Sequence, residues 1–335
     1  MTTTATAGTS PVPLSAPAAA GGGGAGGAGT GRRPAAAMLL VLGSCTSLQA
    51  GAALAMRLFP VTGAPGATLL RLGLAAAVLL GVVRPRVRGW DTAQWRAVLL
   101  YGISLAGTNG FFYAALARLP LGTAVTIQFL GPLTLAAVLS RRGRDVGWVL
   151  LAVTGVLTLG VAASRGGAGG QLNDAGVACA LISAAFWALY IVAGARASAA
   201  VPGRGGLAVA MTVGAVALIP FGARGAWQVA GRPHLLLIAL GTALLASVVP
   251  YTLELAAMRR APRRVFGILL SLEPAVATLA GWLLLGQRIT LVMVAAVAVV
   301  SCASTGSAVG VSDPAAEPRP YAGQRARQDA AGPPG

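Results

Sequence analysis

The sequence predicts an all-α membrane protein with ten transmembrane helices arranged as two inverted five-helix repeats. Of its 335 residues, 56% are hydrophobic and only 10% are charged, whereas soluble proteins carry about 25% charged residues. Apolar runs of about 20 residues, long enough to cross a bilayer as helices, recur along most of the chain. A short sequence pattern also recurs in both halves of the chain at a constant spacing. These observations predict the lipid bilayer as the environment of the protein.

Ten apolar spans are predicted, separated by short loops. They lie near residues 35–55, 66–83, 96–117, 121–139, 146–163, 174–195, 205–222, 234–257, 264–285 and 290–310. Residues 1–34 and 311–335 consist mostly of small, polar and proline residues. Such composition cannot bury a core, so we expect two disordered tails. The spans then divide into a first repeat over 35–163 and a second over 174–310.

The arginines predict the orientation of the chain. Its net charge is +17, and all 25 basic residues are arginine. With the N-terminus inside, the cytoplasmic segments hold 18 arginines and the opposite side holds 6. Basic loops favour the cytoplasmic side, so both termini are predicted to be cytoplasmic. Because the arginines are spread over loops between apolar runs, nucleic acid is not an expected partner.

An internal repeat relates the two halves. The segment AALARLP (114–120) matches AAMRRAP (256–262), and FLGP (129–132) matches SLEP (271–274), both at an offset of 142. The third and fourth spans thus correspond to the eighth and ninth, five spans later. Because five is odd, the two halves must cross the membrane in opposite directions. Inverted repeats are typical of secondary transporters, whose substrate site lies between the repeats near the midplane.

Two carboxylates, Glu254 and Glu273, are predicted to lie deep inside apolar spans. Acids at such depth are costly, and commonly mark ion paths, proton relays or sites for a ligand ammonium group. The alternative is a structural role, in which Arg71 of the second span is the possible ion-pair partner. Arg71 could instead extend its side chain to the membrane interface.

Three prolines predict helix breaks beside these acids. Pro132 and Pro274 occupy equivalent positions in the two repeats, and Pro250 precedes Glu254 by four residues. Proline removes a helical hydrogen bond, and the freed carbonyl is tolerated where protein or a hydrated cavity satisfies it. The symmetric placement favours cavity-lining helices over ordinary packing kinks. Polar side chains in the same spans complete the predicted substrate and proton pathway: Tyr251, Asn109, Tyr113 and Gln128. Hydrogen bonding between helices is the alternative role for these groups.

Catalytic and metal-binding patterns are not found in the sequence. The three cysteines are widely spaced, and the single histidine lies at a predicted span edge. Neither a nucleophile motif nor a set of metal ligands emerges. We therefore expect no enzymatic activity, no cofactor and no metal ion.

Two stretches resemble a known family. FFYAALARLPLGTAVTIQFLGPL (111–133) and VPYTLELAAMRRAPRRVFGILLSLEPAVATLAGWLLLG (249–286) resemble the EamA family of the drug/metabolite transporter superfamily, and most closely its threonine/homoserine exporter group. The resemblance implies two inverted five-helix repeats, a bacterial inner-membrane location, and efflux of small amino-acid-like solutes in exchange for protons. The sequence departs from the group at Gln128 and Gln287, where relatives have glutamate. Glu254 and Glu273 match the group and remain as the embedded acids.

The predicted function is therefore export of a small zwitterionic solute by alternating access, with protons as the coupling ion. Two alternatives stay open from the sequence. The same fold could export a drug or another metabolite, and an intramembrane enzyme or a channel is a more distant reading.

Overall fold

The structure is a computed structural model, which describes residues 32–140, 143–164, 173–201, 203, 205–258 and 268–309. Within these ranges the chain forms helices and no strands. The predicted disordered tails, apart from residues 32–34, and the basic segment 259–264 lie outside the described residues, as does the side chain of Tyr251.

The described chain forms twelve α-helices. In order they are α1 (Arg32–Met56), α2 (Phe59–Val83), α3 (Thr92–Leu116), α4 (Leu121–Gln128), α5 (Leu130–Ser140), α6 (Gly143–Ser164), α7 (Asp174–Ala200), α8 (Gly205–Trp227), α9 (Pro233–Ala243), α10 (Val249–Met258), α11 (Glu273–Leu285) and α12 (Leu291–Val309). A π-helical turn, Leu244–Val248, joins α9 to α10. Since α4 continues into α5 and α9 into α10, the twelve helices form ten segments. Nine of these are long and apolar enough, over their described residues, to cross a membrane, and α6 is the other. The predicted all-α membrane fold is confirmed.

Helix ends follow local sequence signals. Asp91 precedes α3, and its side chain accepts a hydrogen bond from the backbone N–H of Gln94 at 2.7 Å. The Gln94 side-chain oxygen in turn accepts one from the backbone N–H of Asp91 at 3.0 Å. This reciprocal pair satisfies two amides that lack partners in the first helical turn. At the other end of a span, α11 stops at Gly286, whose φ of 63° is left-handed.

Two predicted starts need correction. α1 begins at Arg32, so the last three residues of the predicted disordered tail are helical. α2 begins at Phe59 rather than at residue 66. Gly63 adopts φ 64° and kinks the helix, and Pro65 then lies near the start of the part beyond the kink, where its missing N–H costs little. The helix therefore continues on both sides of the kink.

The segments pack as two related sets of five. Each segment has an equivalent five places along the chain, so that α3 corresponds to the segment containing α10 and α7 corresponds to α1. α3 packs on α7, and the equivalent helices α10 and α1 also pack on each other. The contact of α5 with α7 corresponds in the same way to that of α11 with α1. Three contacts map onto themselves: α2 with α8, α4 with α11, and α6 with α12. This is the packing that two repeats would give, and the residue boundaries of the repeats stay a prediction.

α2 and α8 approach closely where the start of α2 lies beside the end of α8. A Cβ atom placed on Gly225 would overlap the carbonyl oxygen of Thr62, and one on Gly222 would meet that of Pro65. Small residues allow helix backbones to approach to this distance, which strengthens dispersion contacts within a membrane. The α2–α8 pair thus joins the two halves beside the cavity described next.

Candidate functional site

A cavity of about 460 Å³ lies between the two halves of the protein. Its volume is within the 300–1,000 Å³ range typical of small-molecule sites. Most of its wall is apolar, with Phe112, Trp187 and Tyr190 contributing aromatic rings. Besides these rings, polar and charged side chains from seven helices line the cavity: Gln49 (α1), Arg71 (α2), Thr108 and Asn109 (α3), Gln128 (α4), Glu254 (α10), Glu273 (α11), and Ser304 and Ser307 (α12). The cavity therefore combines an apolar surface with one arginine and two carboxyl groups.

Both embedded carboxylates are held by α1. The Ser44 hydroxyl donates to Glu254 Oε1 at 2.9 Å, and the Gln49 amide nitrogen donates to Glu273 Oε1 at 3.2 Å. Ser44 and Gln49 are each only 1% exposed, and Glu273 is 8% exposed. The donors are neutral, so they orient the carboxylates without cancelling their charge. A cationic group entering the cavity would find both acids on the same side.

The helix break at Pro250 is satisfied by groups from other helices. Pro250 has no N–H to donate to the carbonyls of the preceding π-helical turn. The Ser47 hydroxyl donates to the Leu245 carbonyl, and a terminal nitrogen of Arg71 donates to the Ala246 carbonyl, both at 2.7 Å. In a bilayer an unpaired carbonyl costs several kcal/mol. Side chains of α1 and α2 therefore satisfy the carbonyls freed at the break, and one of these side chains places a guanidinium in the cavity wall.

Arg71 does not form the predicted ion pair. It lies midway between Phe59 and Val83, the ends of α2, and is 7% exposed, so it does not extend to the interface either. Besides the Ala246 carbonyl, it donates to the Ser247 and Tyr113 hydroxyls at 3.3 Å. Its guanidinium carbon lies 5.4 Å from the centre of the Tyr113 ring, a cation–π geometry. No carboxylate of the described chain pairs with it, so this conformation contains neither of the two alternatives considered for Arg71.

On the opposite wall, Gln128 belongs to a neutral hydrogen-bonded cluster. Its amide nitrogen donates to the Ser183 hydroxyl at 2.7 Å and to the Thr108 hydroxyl at 3.4 Å. Ser183 in turn donates to the Thr108 carbonyl at 2.7 Å. These three residues, the Gln128 cluster, tie together α3, α4 and α7. Asn109 lines the cavity beside the cluster and donates to the Leu105 carbonyl of its own helix at 2.8 Å.

The two repeats differ at the position before the equivalent prolines, Gly131 and Glu273. A Cβ atom on Gly131 would overlap the carbonyl oxygen of Ala184, because α5 lies directly against α7. The first half therefore has no room for a side chain at this position. In the second half the Glu273 side chain reaches Gln49 of α1. Glu254 and Glu273 both belong to the second half. The first-half residue equivalent to Glu273 is Gly131, which is neutral.

Most of the predicted site residues converge on the cavity. Its lining includes Glu254, Glu273, Asn109, Gln128, Arg71, Pro132 and Pro250. Tyr113 is fully buried behind the lining as a partner of Arg71, and Pro274 is buried outside the lining. The sequence did not predict the roles of Ser44, Gln49, Thr108 and Ser183. Their only signal was polarity within an apolar span.

Comparison with known proteins identifies the family. A model of the EamA-like transporter family matches residues 174–307. The chain is 38% identical over 277 residues to proteins named threonine/homoserine exporter RhtA, from Salmonella typhimurium (strain SL1344) and from Escherichia coli (strain K12). Each match covers 82% of this chain and 92% of the relative. A crystal structure sharing 20% sequence identity covers 82% of this chain and 97% of its own, with a TM-score of 0.48.

These relatives are transporters and not enzymes, in agreement with the absence of a catalytic motif from the sequence. The apolar helices and the exporter relatives together indicate a multi-pass protein of the inner membrane. The similarity extends over most of both chains. The protein therefore belongs to the EamA-like transporter family and is an exporter of that type.

Proposed function

We propose that this exporter carries small zwitterionic amino acids, of the threonine and homoserine type, out of the cell. The observation that supports this substrate class is the presence of both charges in one cavity, with Arg71 on α2 and Glu254 and Glu273 on the second half. Each charged group is held by neutral partners. A zwitterion can complement both signs and adds no net charge to the membrane interior, where uncompensated charge is costly. The names of the relatives support the same class.

Within this proposal, Glu254 or Glu273 contacts the ammonium group of the solute or carries the coupling proton. Gln128 cannot take up a proton, so Glu254 and Glu273 are the acids of the cavity lining available for this role. Asn109, Gln128 and the carbonyls near Pro132 and Pro250 contribute polar contacts to the solute. Tyr113 supports the site from behind Arg71, and Tyr251 is proposed as a further contact.

The transport cycle is proposed to be alternating access of the two repeats, coupled to proton entry, with both termini in the cytoplasm. The two sets of five segments make equivalent contacts, and this packing supports the cycle, because two equivalent halves can rock against each other around a shared cavity. The α2–α8 contact joins two equivalent segments of the two halves, and we propose it as the pivot of this motion.

Efflux from loaded cells tests the proposed function. A strain lacking its own threonine export is loaded with labelled threonine, homoserine, lysine, glutamate or a neutral sugar, with and without the protein. We expect faster efflux of threonine and homoserine only. Efflux at equal rates across the panel, or of the sugar alone, would contradict the proposed substrate class. An imposed proton gradient across proteoliposomes then tests whether transport is coupled to protons. If it is, threonine should accumulate against its own concentration gradient.

A further inference from the structure

We propose that Arg71 binds the carboxylate of the transported solute and so determines its selectivity. This inference rests on the proposed function, because it assumes a substrate that carries both an ammonium group and a carboxylate. It assigns the two ends of that substrate to opposite elements of the cavity. The carboxylate lies against α2 and the π-helical turn, and the ammonium lies toward Glu254 and Glu273.

The first support is the charge balance of the guanidinium. Arg71 lies in the middle of α2 and is 7% exposed, and its described partners are a carbonyl and two hydroxyls. These dipoles stabilise a cation but do not neutralise it. An arginine at this depth normally pairs with an anion or faces a hydrated cavity. The side chain does line the cavity, so an anionic group of a solute can complete the pairing.

The second support is the number of donors still available. A guanidinium has five N–H groups in a rigid planar fork. The described contacts use one each for Ser247, Tyr113 and the Ala246 carbonyl, that is three of the five. Each of the two terminal nitrogens keeps a further N–H. A guanidinium with a free N–H on each terminal nitrogen has two donors to offer to the oxygens of a carboxylate.

The third support is the pre-orientation of the fork. The Ala246 carbonyl is fixed by the helix break at Pro250, and Tyr113, which is fully buried, packs its ring beside the guanidinium carbon at 5.4 Å. Side chains held in this way lose little entropy on binding a ligand. The anchor is therefore assembled by residues from three separate elements before a solute enters.

The carboxylates cannot substitute for such a ligand in the described conformation. Glu254 and Glu273 are hydrogen-bonded to Ser44 and Gln49 of α1 and do not pair with Arg71. A solute with only one charged group would leave either Arg71 or the two acids without an ionic partner. The structure thus favours a dipolar ligand over an amine or an acid alone.

Competition against labelled threonine in proteoliposome counterflow tests this assignment. The competitors are threonine, its carboxamide, in which the carboxylate is neutral, and the corresponding hydroxy acid, which lacks the ammonium group. Hydrogen bonds to charged groups contribute enough for roughly 10- to 150-fold in affinity. For the wild type we therefore expect threonine to compete at least 10-fold better than the carboxamide.

The variants are Arg71→Gln, which keeps a donor for the Ala246 carbonyl, and Arg71→Lys, which keeps the charge but loses the fork. In Arg71→Gln we expect the advantage of threonine over its carboxamide to fall to about twofold or less, while competition by the carboxamide itself is unchanged. Arg71→Lys should be intermediate. The matched control is Arg57→Gln, at an exposed arginine between α1 and α2, which should keep the wild-type ratio.

The inference is overturned if Arg71→Gln or Arg71→Lys keeps the wild-type preference for the carboxylate. It is also overturned if threonine and its carboxamide raise the unfolding temperature of the detergent-solubilised wild type equally, a measurement that needs no variant. Failure of the proposed function is a separate result: the wild type would then show no threonine counterflow at all.

Discussion

The contact between Gly131 and α7 makes a quantitative prediction about the first half of the cavity. In Gly131→Ala, the added Cβ would overlap the Ala184 carbonyl oxygen and lie 2.8 Å from the carbonyl carbon. Optimal carbon–carbon contacts are about 3.5–4.0 Å, so α5 must move away from α7 by more than half an ångström. The obstacle is backbone, and no side-chain rotation relieves it.

The magnitude follows from three opposing effects. Replacing a helical glycine by alanine gains about 1 kcal/mol in helix propensity, and overpacking costs about 1–3 kcal/mol. Moving α5 also strains the 2.7 Å hydrogen bond between Gln128 and Ser183, worth about 0.5–1.5 kcal/mol. The net expectation is a loss of about 0.5–3.5 kcal/mol in the free energy of unfolding.

The matched control is Gly147→Ala. Gly147 lies in α6, is exposed, and has no atom within contact distance of an added Cβ. This variant should be equal to the wild type or more stable by up to about 1 kcal/mol. Unfolding in mixed micelles with a denaturing detergent measures both variants. If Gly131→Ala proves as stable as Gly147→Ala, the close approach of α5 and α7 is refuted.

Three further predictions concern the polar groups. Glu254→Gln and Glu273→Gln, compared at equal expression, should differ from the wild type in the pH dependence of transport if the acids carry the proton; unchanged profiles in both would leave them a structural role. Ser44→Ala removes the donor to Glu254 and should lower the free energy of unfolding by about 1.5–3 kcal/mol while that carboxylate is charged. The exposed neighbour Thr46, changed to alanine, should show less than about 0.5 kcal/mol. Ser183→Ala opens the Gln128 cluster and should cost about 1–3 kcal/mol, with slower threonine counterflow as the functional measurement; a neutral effect would argue against the cluster.

Hydropathy and proline placement were sufficient to predict the spans and the breaks. The order of ten segments follows from apolar runs, because a bilayer requires about 20 such residues per helix. Pro132 and Pro250 were predicted to line a cavity for the same local reason: each removes a donor that a membrane cannot replace with water. Both residues belong to the lining of the cavity.

The partners of the polar groups could not be predicted in this way. Ser44 and Glu254 are 210 positions apart, and Arg71 and Ala246 are 175 positions apart. Their contact depends on the packing of α1 against α10 and of α2 against α9 and the π-helical turn, to which no local pattern points. Arg71 was considered as a possible partner of a carboxylate on charge complementarity alone. The π-helical turn before Pro250 offers it a carbonyl instead.

The difference between the repeats has a physical consequence for how the two halves are held together around the cavity. On the first-half side the Gln128 cluster joins α3, α4 and α7 through neutral hydrogen bonds. On the second-half side the equivalent contacts, α1 with α10 and α11, depend on carboxylates. Protonation or an arriving ammonium group changes the strength of hydrogen bonds to a carboxylate but leaves amide–hydroxyl bonds unaffected. Under the proposed function, a solute or proton would therefore change only the contacts of α1 with α10 and α11 and would leave the Gln128 cluster unchanged.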